Sequence, residues 1–214
     1  MTAAPDELRL AELLCARICH DLSGPVGAAA AGAELIEDGG ADDETLGLVA
    51  ASAAGAAARL RYFRTALGPA AKPQSATALR DLIEAYLKTA VSGASSGLVL
   101  DWRVAAAEID GDLARLILNL VLVGRDALPR GGTLAVSAGE CGARVVARGT
   151  PAALSDEAQA VLVDSAEPAG PRGAQAFFVR RLAESLAGPL SVRHGAGEVV
   201  LAAPADFVDK KDCR

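Results

Sequence analysis

Aromatic residues are scarce in this sequence: phenylalanine, tryptophan and tyrosine together make up 3% of its 214 residues. Proteins that bind single-stranded nucleic acid stack bases on aromatic side chains, so this composition argues against such a site. The charge points the same way, because the formal net charge is −6 and nucleic-acid-binding domains carry clustered lysine and arginine. We therefore predict no nucleic-acid partner.

Cysteine is also rare and follows no recognisable spacing. Its four residues, Cys15, Cys19, Cys141 and Cys213, match neither a disulfide framework nor a zinc motif. Cys15 and Cys19 lie one predicted helical turn apart beside His20, but three soft ligands without a fourth make a poor metal site. The cysteines are therefore expected to be reduced, and no metal or other cofactor is predicted.

Long hydrophobic runs are missing as well. The longest, at 113–124, covers about twelve residues and contains Arg115 and Asn119, whereas a helix that spans a bilayer needs ~20 apolar residues. The first residues, MTAAPDELRLAELL, place acids in the first helical positions and no basic region before an apolar core, which argues against a secretory signal. These features predict a cytoplasmic protein with no membrane partner.

Apolar residues are plentiful, at 51% of the chain, and at its start they recur every three or four positions. This period predicts one helix from Asp6 to about Glu37 and a second that ends at Leu67. The turn DGGADD between them, at 38–43, predicts an antiparallel hairpin. Such long, alanine-rich helices cannot bury both faces in one hairpin, so we expect a homodimer that closes a four-helix bundle.

Gly68 and Pro69 end the second helix, because proline cannot continue it, and beyond them the apolar period alternates. We predict a helical domain at 1–68, a linker at 69–75, a second domain at 76–204 and a tail at 205–214. The second domain is expected to be an α+β sandwich, with helices on one face of a mixed sheet. Its predicted elements are helix 76–90, strand 98–104, helix 110–128, strands 132–138 and 144–147, helices 155–163 and 174–187, and strands 190–193 and 199–202.

The stretch RICHDLSGP, at 17–25, contains one of the two histidines in the chain, followed at once by an acid and then by a proline. A histidine that accepts a phosphoryl group must offer one unprotonated ring nitrogen, and an adjacent carboxylate can orient the ring or take up its proton. Small residues after His20 leave room for a partner, and Pro25 permits a local bend. Without further context, a lone His-Asp pair favours a surface histidine on a long helix.

On the first helix of a hairpin with an α+β domain behind it, this motif resembles the dimerisation and phosphoacceptor domain of two-component histidine kinases. Later segments resemble the kinase ATP-binding domain, of the GHKL type. The segment LILNLVLVGRDALPRGG resembles the N-box, VVARGTPA the box that holds adenine, and GPRGAQAFF the glycine-rich turn that cradles phosphates.

Three departures from the kinase pattern argue against ATP binding. Val123 stands where a second asparagine would help to hold Mg²⁺, and an apolar side chain cannot ligate a hard cation. Ala147 stands where an aspartate would accept the adenine amino group. Gly170 and Gly173 remain in the last segment, but the rest of its glycine run is lost, so its amides are less free to wrap phosphates.

Three polar residues of this region have no predicted chemical role. Asn119 matches the first N-box asparagine and is expected to be a polar residue on a mostly buried helix, satisfied by a local hydrogen bond. Arg125 and Asp126 are expected to lie at the surface.

A kinase-like body with a phosphoacceptor histidine and a degenerate nucleotide site resembles the ChpT-type histidine phosphotransferases. The resemblance implies the middle step of a phosphorelay, in which a receiver-domain aspartate of a CckA-like hybrid kinase gives its phosphoryl group to His20. Response regulators of the CtrA and CpdR types would then take it. Asp21 is implied as the orienting acid, and Arg17, Ser23 and Gly24 as contacts to the receiver, which would bring its own Mg²⁺.

Two alternatives stay open: an autophosphorylating histidine kinase with an atypical nucleotide site, and a non-catalytic adaptor that binds receivers. Gly24 bears on a further activity. Bifunctional kinases keep threonine or asparagine at this position to place water against the phosphoaspartate, and glycine has no side chain for this. The resemblance therefore implies little phosphatase activity.

Overall fold

The computed structural model describes residues 7–69, 72–89, 97–139 and 142–208. It begins with two long helices, α1 at Glu7–Glu37 and α2 at Asp43–Leu67. Asp42 caps α2, because its carboxylate accepts a hydrogen bond from the Thr45 amide at 2.7 Å. In the turn before it, Gly39 adopts φ +94°, a conformation that glycine reaches without strain. The predicted helical hairpin is confirmed, whereas Cys141 and Cys213 lie outside the described residues.

The remaining chain forms a mixed array of helices and strands close to the predicted one. Two differences stand out. The helix predicted from residue 174 begins at Pro171, since proline suits the first helical position, and a pair of two-residue strands, at 74–75 and 108–109, was not predicted. The elements are β1 Gln74–Ser75, α3 Ala76–Thr89, β2 Leu98–Trp102, β3 Glu108–Ile109, α4 Gly111–Asp126, β4 Gly132–Gly139, β5 Gly142–Arg148, α5 Asp156–Leu162, α6 Pro171–Leu186, β6 Ser191–Gly195, β7 Glu198–Ala203 and a 3₁₀ turn Ala205–Val208.

Five of these strands form one sheet in the order β2-β4-β5-β7-β6. The β2 and β4 strands are parallel and the other pairs are antiparallel, as expected for a mixed sheet. Alternate side chains of β5 point to opposite faces: Val145 and Ala147 join the core beneath the helices, while Val146 packs with Phe207 on the other side. The predicted arrangement, with the helices on one face of the sheet, is confirmed.

The hairpin packs directly against this second part of the chain. Tyr62 of α2 is fully buried and stacks on Tyr86 of α3 with ring centroids 4.1 Å apart. Its hydroxyl donates a hydrogen bond to the carbonyl oxygen of Leu118 in α4 at 2.8 Å. Because α2 is anchored in this way, α1 is held alongside α4 and α6, which places the motif 17–25 beside both helices. The predicted domain limits at 68 and 76 stay predictions.

Candidate functional site

His20 lies on α1 with its side chain almost fully in solvent, at 87% exposure. Its Nδ1 is 3.2 Å from the Oδ1 atom of Asp21. A carboxylate can only accept a hydrogen bond, so this contact assigns the proton to Nδ1 and leaves Nε2 with a free lone pair. The exposed ring can therefore act as a nucleophile through its Nε2 atom.

Asp21 is much less exposed than its neighbour, at 15% for its side chain. Its backbone carbonyl oxygen faces position 25, where Pro25 has no N–H to complete the helical hydrogen bond. Arg59 of α2 donates to that oxygen instead, and the same guanidinium also bonds the Oγ1 and the carbonyl oxygen of Thr89. The proline thus frees an acceptor through which α2 and α3 hold the turn that carries His20.

The residues Arg17, Asp21, Arg125 and Asp126 form a charge cluster between α1 and the end of α4. Asp126 bonds both arginines: its Oδ2 is 2.8 Å from Nη2 of Arg17, and its Oδ1 is 2.8 Å from Nη1 of Arg125. The expectation that Arg125 and Asp126 are surface residues is wrong, because their side chains are only 21% and 14% exposed. Asp126 is covered by its ion pair with Arg17 of α1, and Arg125 lies over the ring of Tyr86 of α3.

Arg17 is the most buried member of the charge cluster, with 4% of its side chain exposed. Burial disfavours its charge, but the charges of Asp126, Tyr86 and Asp21 outweigh this effect and raise the pKa of Arg17 above its usual value. The same groups raise the pKa of Arg125 despite its burial. Arg17 therefore contacts Asp126 of the same chain, and it offers little surface to a partner.

A cleft of about 260 Å³ opens beside His20, between the charge cluster and the start of α6. On its far wall the Oε2 atom of Glu157 accepts hydrogen bonds from the amides of Arg172 and Gly173, at 3.1 and 3.0 Å. Gly170 permits this approach, because a Cβ there would lie 2.5 Å from the same oxygen. A carboxylate of the chain thus occupies the helix N-terminus that an anion would otherwise fill.

The two positions that the kinase resemblance pairs with nucleotide-binding residues lie inside the core. Val123 and Ala147 are 4% and 0% exposed and belong to the main hydrophobic cluster. Asn119 is fully buried, and its amide nitrogen donates to the carbonyl oxygens of Arg115 and Ala66, at 2.8 and 2.7 Å. Its amide oxygen accepts from Nε2 of Gln175 at 2.8 Å. The expected local bond is present, and two further bonds tie α4 to the hairpin and to α6.

Ser23 and Gly24 follow His20 on exposed positions of α1. The Ser23 hydroxyl donates to the carbonyl oxygen of Cys19 at 2.7 Å, so in this structure it is satisfied within its own helix. A Cβ at Gly24 would meet no atom within 4 Å. Packing therefore does not require glycine at position 24, and the surface there is open.

Sequence reasoning missed four of the residues that surround His20: Arg59, Arg125, Asp126 and Glu157. Each reaches the site from an element far along the chain. The one local signal was the acidic first turn of α5, where Glu157 follows the cap residue Ser155. That signal predicts a helix start, not the contact of Glu157 with α6.

Within the described ranges, no helix is both long and apolar enough to cross a bilayer. The same residues contain no group of three or more histidine, cysteine, aspartate or glutamate side chains that could hold a metal ion. Cys15 and Cys19 are free and exposed.

Comparison with known proteins gives concordant results. A family model described as the histidine phosphotransferase C-terminal domain matches residues 76–198. The protein phosphotransferase ChpT of Brucella abortus (strain 2308) is 40% identical over 129 residues, and this match spans 60% of each of the two chains. A bacterial phosphotransferase of known structure superposes with a TM-score of 0.78 at 30% identity, covering 94% of this chain and 98% of the other.

Proposed function

This chain belongs to the histidine phosphotransferase family, and on that premise we propose that His20 relays a phosphoryl group between receiver-domain aspartates. The observation that carries the proposal is the geometry of the motif. His20 is exposed at 87%, and its Nδ1 is engaged by Asp21 at 3.2 Å, so that Nε2 is free to react with a partner protein.

In the proposed step, the Nε2 lone pair attacks the phosphorus of a phosphoaspartate. An N–P bond forms, the P–O bond to the aspartate breaks, and the receiver's carboxylate leaves with the electron pair. The proton stays on Nδ1, so the ring gains a positive charge, which the adjacent Asp21 carboxylate stabilises. The reverse reaction with a second receiver returns the lone pair to Nε2 and completes the relay.

ATP has no place in this proposal. The carboxamide and carboxylate that would hold Mg²⁺ and adenine are replaced by the buried Val123 and Ala147. Glu157 already bonds the amides that would face a phosphate. Both observations favour a relay histidine over the alternative of an autophosphorylating kinase.

The proposed partners are receiver domains: that of a CckA-like hybrid kinase as donor, and response regulators of the CtrA and CpdR types as acceptors. Any Mg²⁺ is expected on the receiver, and none is assigned to this chain. Ser23 and Gly24, which are exposed beside His20, are the proposed contacts. The buried Arg17 is more compatible with a supporting role. Because these proposed partners are receiver domains of intracellular signalling, we also propose a cytoplasmic location.

We further propose that two copies associate through their hairpins. Among the described residues, large apolar side chains are more than a third exposed at nine positions, and six of these lie on α1 and α2. The six are Leu8, Val26, Leu35, Leu46, Leu48 and Leu60. A second hairpin that covers them would form a four-helix bundle.

The test is transfer of label from a receiver domain phosphorylated on its aspartate. We expect acid-labile, base-stable label on the wild-type protein and none on His20→Ala. An Arg103→Ala variant, changed on the remote strand end, serves as the control and should be labelled normally. A fully labelled His20→Ala protein, or binding of the receiver without any label on the wild type, would reject the proposal; the second result would favour the adaptor.

A further inference from the structure

The charge cluster joins the phosphoacceptor helix to the end of α4, a part of the fold to which the relay chemistry assigns no role. Asp126 is its only residue bonded to both arginines, at 2.8 Å each. Arg17 comes from α1 and Arg125 from α4 itself, so this carboxylate links the two structural parts at a point three residues before His20. Arg125 is also fixed from α3, since its guanidinium lies over the ring of Tyr86, 5.7 Å from the centroid.

Asp21 is the second carboxylate of the cluster, and it is the one that contacts His20. Its charge contributes to the raised pKa of both Arg17 and Arg125, so it lies within electrostatic reach of each. Its Oδ1 bonds the His20 ring, while its Oδ2 is buried and has no hydrogen-bond partner among the described residues. The ring of His20 and the guanidinium groups of Arg17 and Arg125 therefore compete for the Asp21 carboxylate.

The outcome of this competition depends on the charge of Asp126. With Asp126 present, two carboxylates face two guanidinium groups, and Asp126 takes the direct bonds to both. Without its charge, Asp21 would be the only carboxylate of the charge cluster facing two largely buried cations, because Glu157 across the cleft is engaged by the amides of α6. A buried charge that loses its partner is costly, so the arginines would draw the Asp21 carboxylate toward themselves. The hydrogen bond to Nδ1 of His20 would then be lost.

We infer that Asp126 is a positioning residue for the relay: by neutralising Arg17 and Arg125, it leaves Asp21 free to hold the His20 ring with its proton on Nδ1. The tautomer of a histidine is set by the hydrogen bond that its second nitrogen makes. If the proton moves to Nε2, that nitrogen has no lone pair to attack phosphorus. The expected effect on phosphoryl transfer rests on the proposed function, whereas the expected effect on the tautomer of His20 does not.

The test uses the full chain labelled with ¹⁵N-histidine at about pH 8, where an imidazole in water is neutral. Long-range proton–nitrogen spectra report which ring nitrogen carries the proton, and a His194→Gln spectrum identifies the signals of the other histidine. We expect the Nδ1–H tautomer in the wild type and the Nε2–H tautomer in Asp126→Asn. The rate of transfer from a phosphorylated receiver should fall by roughly tenfold in the same variant.

Two controls separate positioning from a general loss of structure. Asp126→Glu keeps the charge and should restore both the tautomer and most of the rate. Asp101→Asn removes a carboxylate that is likewise paired with an arginine, Arg103, on the distant strand β2, and should change neither. Should Asp126→Asn fail to fold, Arg125→Gln offers a second measurement. It removes one of the two cations, so Asp21 should keep its bond to His20 and the Nδ1–H tautomer should persist.

An Asp126→Asn protein that folds, keeps the Nδ1–H tautomer and transfers at the wild-type rate would overturn the inference, as would an Arg125→Gln protein with the Nε2–H tautomer. The proposed function fails in a different way. If the wild type accepts no phosphoryl group from any receiver but the tautomer still changes in Asp126→Asn, the relay is wrong and the positioning role of Asp126 stands.

Discussion

The proposed reactivity of His20 depends on contacts that its immediate neighbours make. Asp21 holds one ring nitrogen, and Pro25 frees the carbonyl oxygen of Asp21 for Arg59. The motif and its spacing were visible in the sequence, and so was the chemistry that a His-Asp pair can perform. The support from Arg59 was not, because a side chain of α2 reaches that carbonyl only once the hairpin has formed.

Gly24 leads to a prediction about hydrolysis. It has no side chain that could hold a water molecule against a phosphoaspartate, and there is open space at this position. The wild-type protein should therefore not accelerate orthophosphate release from a phosphorylated receiver, beyond what passes through phosphohistidine. Gly24→Asn should fold normally, since its Cβ meets nothing, and should release more orthophosphate.

The measurement is orthophosphate release in a His20→Ala background, where no phosphohistidine can form. Release that is already fast with Gly24 in place would contradict the assignment. Gly27→Asn, one turn further along the same helix, where an added Cβ likewise meets no atom within 4 Å, is the matched control and should have no effect.

Two stacked tyrosines lead to a prediction about alkaline stability. Burial raises the pKa of Tyr86 to about 12, and it also raises the pKa of Tyr62. The folded state therefore keeps the neutral phenol while the unfolded chain ionises near pH 10. The contribution of Tyr86 to the free energy of unfolding is fully present below about pH 10. It declines by about 3 kcal/mol as the pH rises from there to about 12.

Tyr86→Phe removes this pH dependence and should make the protein less sensitive to alkali. At pH 7 it should be neutral or slightly stabilising, because the Tyr86 hydroxyl is buried and has no hydrogen-bond partner within the described ranges. Tyr62→Phe is the natural comparison: it loses a hydrogen bond to Leu118 and should cost about 1 kcal/mol. Urea unfolding at pH 7 and pH 11 checks both, and equal losses at pH 7 would contradict the assignment.

The first turn of α6 binds a carboxylate of the chain itself. This turn resembles the segment that cradles phosphates in kinases, but here Glu157 of α5 accepts the two amide hydrogen bonds. The apolar period predicted both helices of this region, although α6 begins at Pro171 and not at the predicted residue 174. It did not predict the contact between α5 and α6, because nothing local in either helix specifies which carboxylate will reach those amides.

Glu157→Ala should leave the α6 amides without an acceptor and should lower the free energy of unfolding by about 1–2 kcal/mol. Glu184→Ala, at the other end of the same helix, removes only an exposed ion pair with Arg181 and should cost less than about 0.5 kcal/mol. Urea denaturation of the two variants makes the comparison. Equal losses would mean that Glu157 does not cap α6.

For the molecule as a whole, the sequence predicts the helices and strands well but not the contacts between distant elements. Long apolar periods predicted both helices of the hairpin, and alternation predicted the strands of the mixed sheet. Asn119 and Asp126 differ from these: Asn119 makes distant hydrogen bonds besides the expected local one, and Asp126, which was expected at the surface, bonds α1. Their partners, Ala66 and Arg17, lie far away along the chain, and no period or motif connects them.

Association of two hairpins should depend on the exposed apolar residues of α1 and α2. Val26 is 54% exposed on α1, and Val99 is 58% exposed on the edge strand β2. Val26→Lys should place a charge inside the proposed four-helix bundle and shift the protein to a monomer, whereas Val99→Lys should leave it a dimer. Sedimentation equilibrium decides, and either a monomeric wild type or a dimeric Val26→Lys protein would reject the bundle.

The phosphoryl group on His20 is proposed to come from a receiver domain and not from ATP. To test this, the same preparation is incubated with a ³²P-labelled receiver domain in one reaction and with γ-³²P-ATP in another, and the labelled residue is mapped. We predict phosphohistidine at His20 from the receiver and no label from ATP. Label on His20 from ATP alone, or none from any phosphorylated receiver, would contradict this prediction.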